Sequence, residues 1–344
     1  MNERSVPRAI IVLLGTACAL IVLFGLREVA SIVGPFVLAL VLVIAVSPVR
    51  GWLAGKGAPI WVQVAVPFLI VVFVVLAMVA VLSLSVTQLA GLMPTYTNEF
   101  QDLLNQAQRL AASYGFGNEQ LSKALQSFDA GKLLGAAQVL LSSLVGVLSS
   151  LFLIVVLLLA MSLDAPITAK ILDSVRGERP AVITALETFA AKTRRYLIVS
   201  TVFGIICATC DVIALYFLGV PLPLLWGVLA LITTYIPNIG FVLGLIPPSL
   251  LALLDGGPKQ MIFVIAAYCV INVVFQGLIL PKFLGDAVGL STTMTLVSLI
   301  GWTFVLGPLG ALLAIPLSLL TKALLIDSDP SAKWAGSLIS GKTA

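Results

Sequence analysis

The chain has 344 residues, of which 60% are hydrophobic and 10% charged, and its mean hydropathy is +1.16. Soluble domains carry about 25% charged residues, so the composition excludes a water-soluble globular protein and points to an all-α polytopic membrane protein. The net charge is +4 and there is no histidine, which removes histidine metal ligands and imidazole proton relays.

The first apolar run, residues 9–26, follows Arg4 and Arg8. Gly15-Thr-Ala-Cys18 lacks the leucine of a lipoprotein cleavage box, and a second apolar run begins at once. The first run is therefore expected to stay as an uncleaved span. Only Arg27 and Glu28 separate it from span two, 29–46, which carries Pro35 early, so the two must be antiparallel neighbours. A loop is expected over 47–59 and span three over 60–86, which places three spans in residues 1–86. Residues 87–137 are polar enough to form an extracytoplasmic insert. Phe100, Leu103, Leu104, Ala107, Leu110 and Ala111 recur at helical spacing, and a second short amphipathic helix is expected from Asn118. Its acids (Glu99, Asp102, Glu119, Asp129) alternate with Arg109, Lys123 and Lys132, as on a solvated face.

Span four is expected within 138–163. Ser142, Gly146 and Ser150 follow one another at spacing four, and small residues in such a row let helix backbones approach closely in lipid. They predict a helix–helix contact, one that would also serve between subunits of a homo-oligomer. Residues 164–195 form a charged segment with Lys170, Arg176, Arg179, Lys192, Arg194 and Arg195. Span five, 196–219, holds Cys207 and Cys210, whose C-x-x-C spacing reads as packing inside an apolar run. It also embeds Asp211. A buried acid in a span is expensive and usually functional; Asp211 is expected to carry a proton or cation or to pair with a basic residue of a neighbouring helix.

The stretch 224–254 is long enough to cross a bilayer, but Thr233-Thr234-Tyr235-Ile236-Pro237-Asn238-Ile239-Gly240 interrupts it. Proline removes a backbone donor, and the freed groups must be buried in protein or line a wet cavity. Broken segments of this kind are pointers to transport sites. After a connector at 255–259 comes a span over 261–280, with Asn272 and Gln276 one turn apart. The last apolar region, 291–321, is broken at Leu306-Gly307-Pro308-Leu309-Gly310. Thr233, Thr234, Tyr235, Asn238, Asn272, Gln276, Ser291 and Thr292 are the candidate substrate-binding residues. For Asn272 and Gln276 an interhelical hydrogen bond is the competing role, and for the Ser/Thr cluster a helix cap. Pro237, Gly240, Pro247, Gly307, Pro308, Gly310 and Pro316 are the candidate hinge or break positions. These elements make a transport half over 196–325, followed by a polar tail over 326–344 that is expected to be mobile.

Basic residues favour the cytoplasmic side. With the N-terminus inside, residues 47–59, 164–195 and the tail fall inside and 87–137 outside, so both termini are cytoplasmic. The balance is the same whether the broken stretches cross once or turn back, because Lys259 and Lys282 merely exchange sides. The stretches end alike, Gly240 to Leu251 and Gly310 to Leu320 both keeping Gly, an apolar run, Ile-Pro and then Ser-Leu-Leu. That similarity favours about eight membrane segments, two of them re-entrant hairpins in an inverted repeat.

Leu225-Trp-Gly-Val-Leu-Ala230, Tyr235-Ile-Pro-Asn-Ile-Gly240, Ile246-Pro-Pro248, Gly289-Leu-Ser-Thr292 and Gly307-Pro-Leu-Gly310 with Ile315-Pro316 resemble the autoinducer-2 exporter family of bacterial membrane proteins over nearly the whole chain. The resemblance implies a secondary transporter in the bacterial cytoplasmic (inner) membrane that exports autoinducer-2, a small polar signalling molecule. Other members resemble sodium–proton antiporters. Related proteins can carry an acid before the proline matching Pro281; here Leu280 stands there, which puts ion coupling at that position in doubt. The alternative of another class is a non-transporting membrane scaffold or envelope-stress protein. An enzyme is disfavoured by the lack of paired membrane carboxylates and of G-x-S-x-G. No cofactor, metal or nucleic-acid partner is expected; the expected partners are the bilayer, a small polar solute and a proton or sodium ion.

Overall fold

The structure, a computed structural model, describes residues 8–92, 95–96, 109, 130–280, 289–329, 332, 336 and 339–340. Nearly all of these are helical, and no strand occurs among them. In order they are α1 (Arg8–Glu28), α2 (Ala30–Gly55), α3 (Ile60–Leu92), α4 (Ala130–Val175), α5 (Pro180–Phe217), α6 (Pro223–Thr233), α7 (Gly240–Asn272), α8 (Thr292–Leu306), α9 (Pro308–Leu312) and α10 (Ala314–Lys322). A π-helical segment, Val273–Ile279, continues α7, and another, Ala323–Asp327, continues α10. Among the described residues, five helices are long and apolar enough to cross a bilayer: Ala30–Gly55, Ile60–Leu89, Leu151–Val175, Pro180–Phe217 and Gly240–Ile279. Large apolar side chains such as Phe73, Phe152 and Phe217 stand exposed. They suit a hydrocarbon solvent, in which a helix satisfies its own backbone groups.

Two boundaries differ from expectation. The loop over 47–59 is mostly helix, since α2 runs through Ser47 and Pro48 to Gly55. The charged segment 164–195 is not a separate element either. It is the end of α4, a turn at 176–179 and the start of α5. α4 has 46 residues, about 69 Å at 1.5 Å per residue, against a hydrocarbon core of about 30 Å. Its polar end keeps helical hydrogen bonding where water can solvate the side chains, so charge alone does not stop the helix. Arg176 pairs there with Glu187 and, at 3.4 Å, with Asp173. The amphipathic helices expected within 87–137 lie outside the described residues, apart from the end of α3, residues 95–96, Arg109 and the start of α4. Ser142, Gly146 and Ser150 lie in α4, of which only the helix is described there.

The chain forms two compact units. One comprises residues 1–64, 153–194 and 287–344; the other comprises 65–152 and 195–286. In the first, the ring of Phe24 meets Phe304 edge-on at 5.9 Å, and the Arg27 guanidinium lies 4.4 Å from the centre of the Phe304 ring. Arg194 donates to Ser47 Oγ at 3.0 Å. α8 ends at Gly307 (φ 63°), and the chain folds back through α9. The approach is so close that a Cβ on Gly310 would lie 1.8 Å from the Trp302 carbonyl oxygen. The indole N–H of Trp302 donates to Ser318 Oγ at 3.0 Å, tying α8 to α10. The tail is anchored rather than wholly mobile, since the backbone N–H of Ser291 donates to the Ile339 carbonyl at 2.9 Å.

In the second unit α6 and α7 form a helical hairpin around a turn at 234–239. A Cβ on Gly240 would lie 1.8 Å from the Thr233 carbonyl oxygen, the same constraint that Gly310 meets in the other unit. Gly257 (φ 77°, ψ −171°) then interrupts α7. A continuous helix would hold Gly244 and Tyr268 about 36 Å apart. They instead line one cavity, so the chain reverses at Gly257. Leu215, Val220, Leu225, Trp226, Leu251, Ala252, Val264 and Tyr268 form the core that joins α5, both hairpin arms and the helix after Gly257. Gln260 donates to the Leu218 carbonyl at 2.7 Å, so the start and the finish of the hairpin meet at one end of the unit.

Candidate functional site

The site is built where α5, the hairpin and the helix after Gly257 converge. Cys207 and Asp211 lie one turn apart on α5 and face the same way. Thr233 and Thr234 end α6, Phe241 and Gly244 begin α7, and Tyr268, Asn272 and Gln276 come from the returning helix. Together with Ala230 and Ile271 these side chains line a cavity of about 20 Å³. A cavity needs about 10–15 Å³ to hold one water, so this one has room for a single water or ion.

Its polar atoms are unevenly satisfied. Asp211 is 4% exposed and its Oδ1 has no hydrogen-bond partner; Tyr268 is 3% exposed and its hydroxyl also lacks one. Thr233 and Thr234 both donate to the Ala230 carbonyl, at 3.2 and 2.8 Å, which spends their hydrogens and leaves their oxygen lone pairs available. Among the described residues, no lysine or arginine lines the cavity. The basic partner for Asp211 that the sequence left open is not among the described residues there.

Tyr235 does not line the cavity; it fastens the hairpin tip above it. Its carbonyl accepts from the Tyr196 hydroxyl at 2.9 Å, and its own hydroxyl lies 2.7 Å from Thr201 Oγ1. Thr201 gives its hydrogen to the Leu197 carbonyl at 2.6 Å, so Tyr235 is the donor in that pair. Asn238 is exposed with φ 64°. It shapes the turn, a left-handed position that Asn tolerates better than most residues. Pro237 precedes it in the turn. Pro247 lies inside α7, and Pro316 lies fully buried inside α10.

Ser291 and Thr292 belong to the other unit. Ser291 caps α8, accepting from the Met294 N–H at 3.3 Å, and Thr292 is exposed at the first helical position. The cap is the role the structure shows for Ser291. That unit has its own cavity of about 250 Å³, lined mainly by apolar side chains with Ser298, Trp302, Ser318 and Thr321 among them. Lys322 at its edge is paired with Asp327 at 2.5 Å.

The sequence brought Asp211, Thr233, Thr234, Asn272 and Gln276 to notice, and the structure gathers all five. It adds Tyr268 and Cys207, which reasoning from sequence passed over. A lone tyrosine in an apolar run carries no signal. The cysteine spacing signalled only a pair, and both thiols are unlinked.

The chain matches the family model described as "AI-2E family transporter" over residues 10–328. It is 29% identical over 313 residues to the "AI-2 transport protein TqsA" of Escherichia coli (strain K12), covering 91% of this chain and 90% of that protein. It is 26% identical over 326 residues to the protein YhhT of the same strain, covering 94% of this chain and 93% of YhhT.

Proposed function

We propose a function from one premise: the chain belongs to the AI-2E transporter family. It is a multi-pass membrane transport protein rather than an enzyme. Within that frame we read it as a secondary transporter that exports a small polar solute by alternating access. Autoinducer-2 is the candidate cargo, on the likeness to TqsA.

The observation that carries the reading is the hairpin α6–α7. Its broken middle closes polar side chains inside an apolar bundle, and its two ends return to one place. A cavity of about 20 Å³ admits no organic solute. The tip must therefore leave α5 before Thr233, Thr234, Asn272 and Gln276 can meet cargo. In the bilayer the hairpins α6–α7 and α8–α10 are re-entrant, which gives eight membrane segments with α1 to α5 and the helix after Gly257. The matched glycines, Gly240 and Gly310, support an inverted repeat. The positive-inside rule places both termini in the cytoplasm of a bacterium, with the protein in its inner membrane. The small-residue row of α4 is a contact for a homo-oligomer.

The test is flux of autoinducer-2 in vesicles reconstituted with the purified protein, with and without a proton gradient. Movement that depends on the protein supports the reading; no movement under any gradient discards autoinducer-2 export. A second reading, sodium–proton antiport, is favoured by one observation: the lone buried Asp211.

A further inference from the structure

The cavity of about 250 Å³ in the unit that holds α1, α8 and α10 has no part in the transport reading, and its walls give it the shape of a groove. On α8 the wall is Met294, Val297, Ser298, Gly301 and Trp302. That spacing is one face of a helix, and it carries the wall along about 12 Å of the axis. The facing wall runs over as many residues, from Ser318 on α10 to Ile326. Leu23 of α1 borders the space between them, while α1 meets α8 directly at Phe304, beyond the end of the stripe.

Gly301 makes the room. A glycine inside a helix costs stability against alanine. At Gly310 of the same unit a backbone carbonyl forbids a Cβ, but at Gly301 a Cβ would meet nothing within 4 Å. The side chain that Gly301 lacks is groove volume.

The walls ask for little that is polar. The Trp302 indole N–H is given to Ser318, the Thr321 hydroxyl to the Leu317 carbonyl and the Lys322 ammonium to Asp327. Among the described residues that line the groove, Ser298 is the one polar group outside these pairs. A small polar solute is held by convergent polar groups, and here they are spent. Water does not settle in apolar cavities even of about 150 Å³. Hydrocarbon suits the walls, and the membrane supplies it. Val297 and Leu325, on opposite walls, are 55% and 68% exposed, so the groove opens on a face that meets lipid. Wall atoms without neighbours forfeit dispersion contacts, and a flexible rod restores them along a narrow channel better than a compact molecule does.

We propose that this groove binds one acyl chain of a membrane phospholipid, lying along α8 opposite α10, with its headgroup at the end where Lys322 pairs with Asp327. The site shares no residue with the Asp211 cavity, and its test needs no cargo.

The test counts phospholipid that stays with the protein after exchange into lipid-free detergent, by native mass spectrometry. One phospholipid per protomer should remain. Gly301→Leu puts a side chain into the groove and should abolish that retention. Gly15→Leu, at a position on α1 equally free of neighbours, should keep it. No retained phospholipid in the unaltered protein, equal retention in Gly301→Leu, or a free fatty acid in place of the phospholipid would overturn the proposal. If Gly301→Leu does not fold, a phospholipid with a diazirine in mid-chain decides in the unaltered protein. Photolysed after the exchange, it should label the peptide holding Met294 to Trp302, and labelling confined to other peptides sinks the site. Excess autoinducer-2 should leave the phospholipid in place; its displacement would make the groove a cargo site and overturn the lipid reading.

Discussion

Gly240 and Gly310 each sit where a Cβ would come 1.8 Å from a backbone carbonyl oxygen, that of Thr233 and that of Trp302. A backbone obstacle cannot rotate aside as a side chain can. Gly240→Ala should therefore destabilise the fold by about 3 kcal/mol or more, at or beyond the upper end of ordinary overpacking costs. At Gly15 of α1 a Cβ would meet nothing within 4 Å, so Gly15→Ala should be close to neutral. Thermal unfolding of the two variants side by side checks the contrast; equal midpoints would show that the hairpin relaxes at little cost. Asp211 offers a second prediction at this scale. If it is the coupling residue, Asp211→Asn abolishes the dependence of transport on a pH gradient, and vesicle flux with the gradient imposed and collapsed measures this.

Among the elements, the reversal at Gly257 carries the topology. Gln260 reaches the Leu218 carbonyl, and Tyr96 donates to Asp255 at 2.9 Å, so residues 218–222 and 255–260 share one end of their unit. A cysteine at Lys259, in a background without the four native cysteines, should react with an impermeant maleimide from the extracytoplasmic side only. Labelling from the cytoplasm would mean that α6–α7 crosses and that the inverted repeat is wrong. The breaks themselves were readable in the sequence, because proline and glycine interrupt apolar runs with a chemistry independent of tertiary context. Helix length was not. Residues 164–195 read as a charged segment of their own, yet they are the end of one helix and the start of the next. The backbone role of Asn238 was not legible either. Its polar side chain drew notice, and the structure adds a left-handed backbone (φ 64°) that the turn uses.

At the scale of the whole molecule, the apolar composition specified a membrane protein, and the charge distribution supplied an expected orientation. Neither could show which polar residues meet. Asp211, Asn272 and Gln276 lie on helices far apart in sequence. Only the reversal at Gly257 brings the second and third to the first, so the cavity is a property of topology. Tyr268 entered the site by the same route, and no periodicity in its apolar run marked it. The division into two units also has a measurable side. In single-cysteine variants, hairpin motion should change the accessibility of positions beside the tip, such as Thr234→Cys, when autoinducer-2 is added. Ile300→Cys, exposed on α8 in the other unit, should not change in the same way.

On the alternating-access reading proposed above, the fastening at Tyr235 bears on how often the hairpin tip stands released. Two hydrogen bonds hold the tip to α5, and each contributes about 1 kcal/mol net. Those two bonds alone would hold the released form to on the order of 3% of the population, and a solute that binds only that form would have its apparent affinity lowered by the same fraction. Tyr196→Phe removes one of the two bonds. It should tighten apparent solute binding about fivefold while letting ions slip across uncoupled, a leak visible as sodium flux in vesicles that contain no solute. A protein with this hairpin thus trades affinity for tightness, and one hydroxyl group sets the exchange.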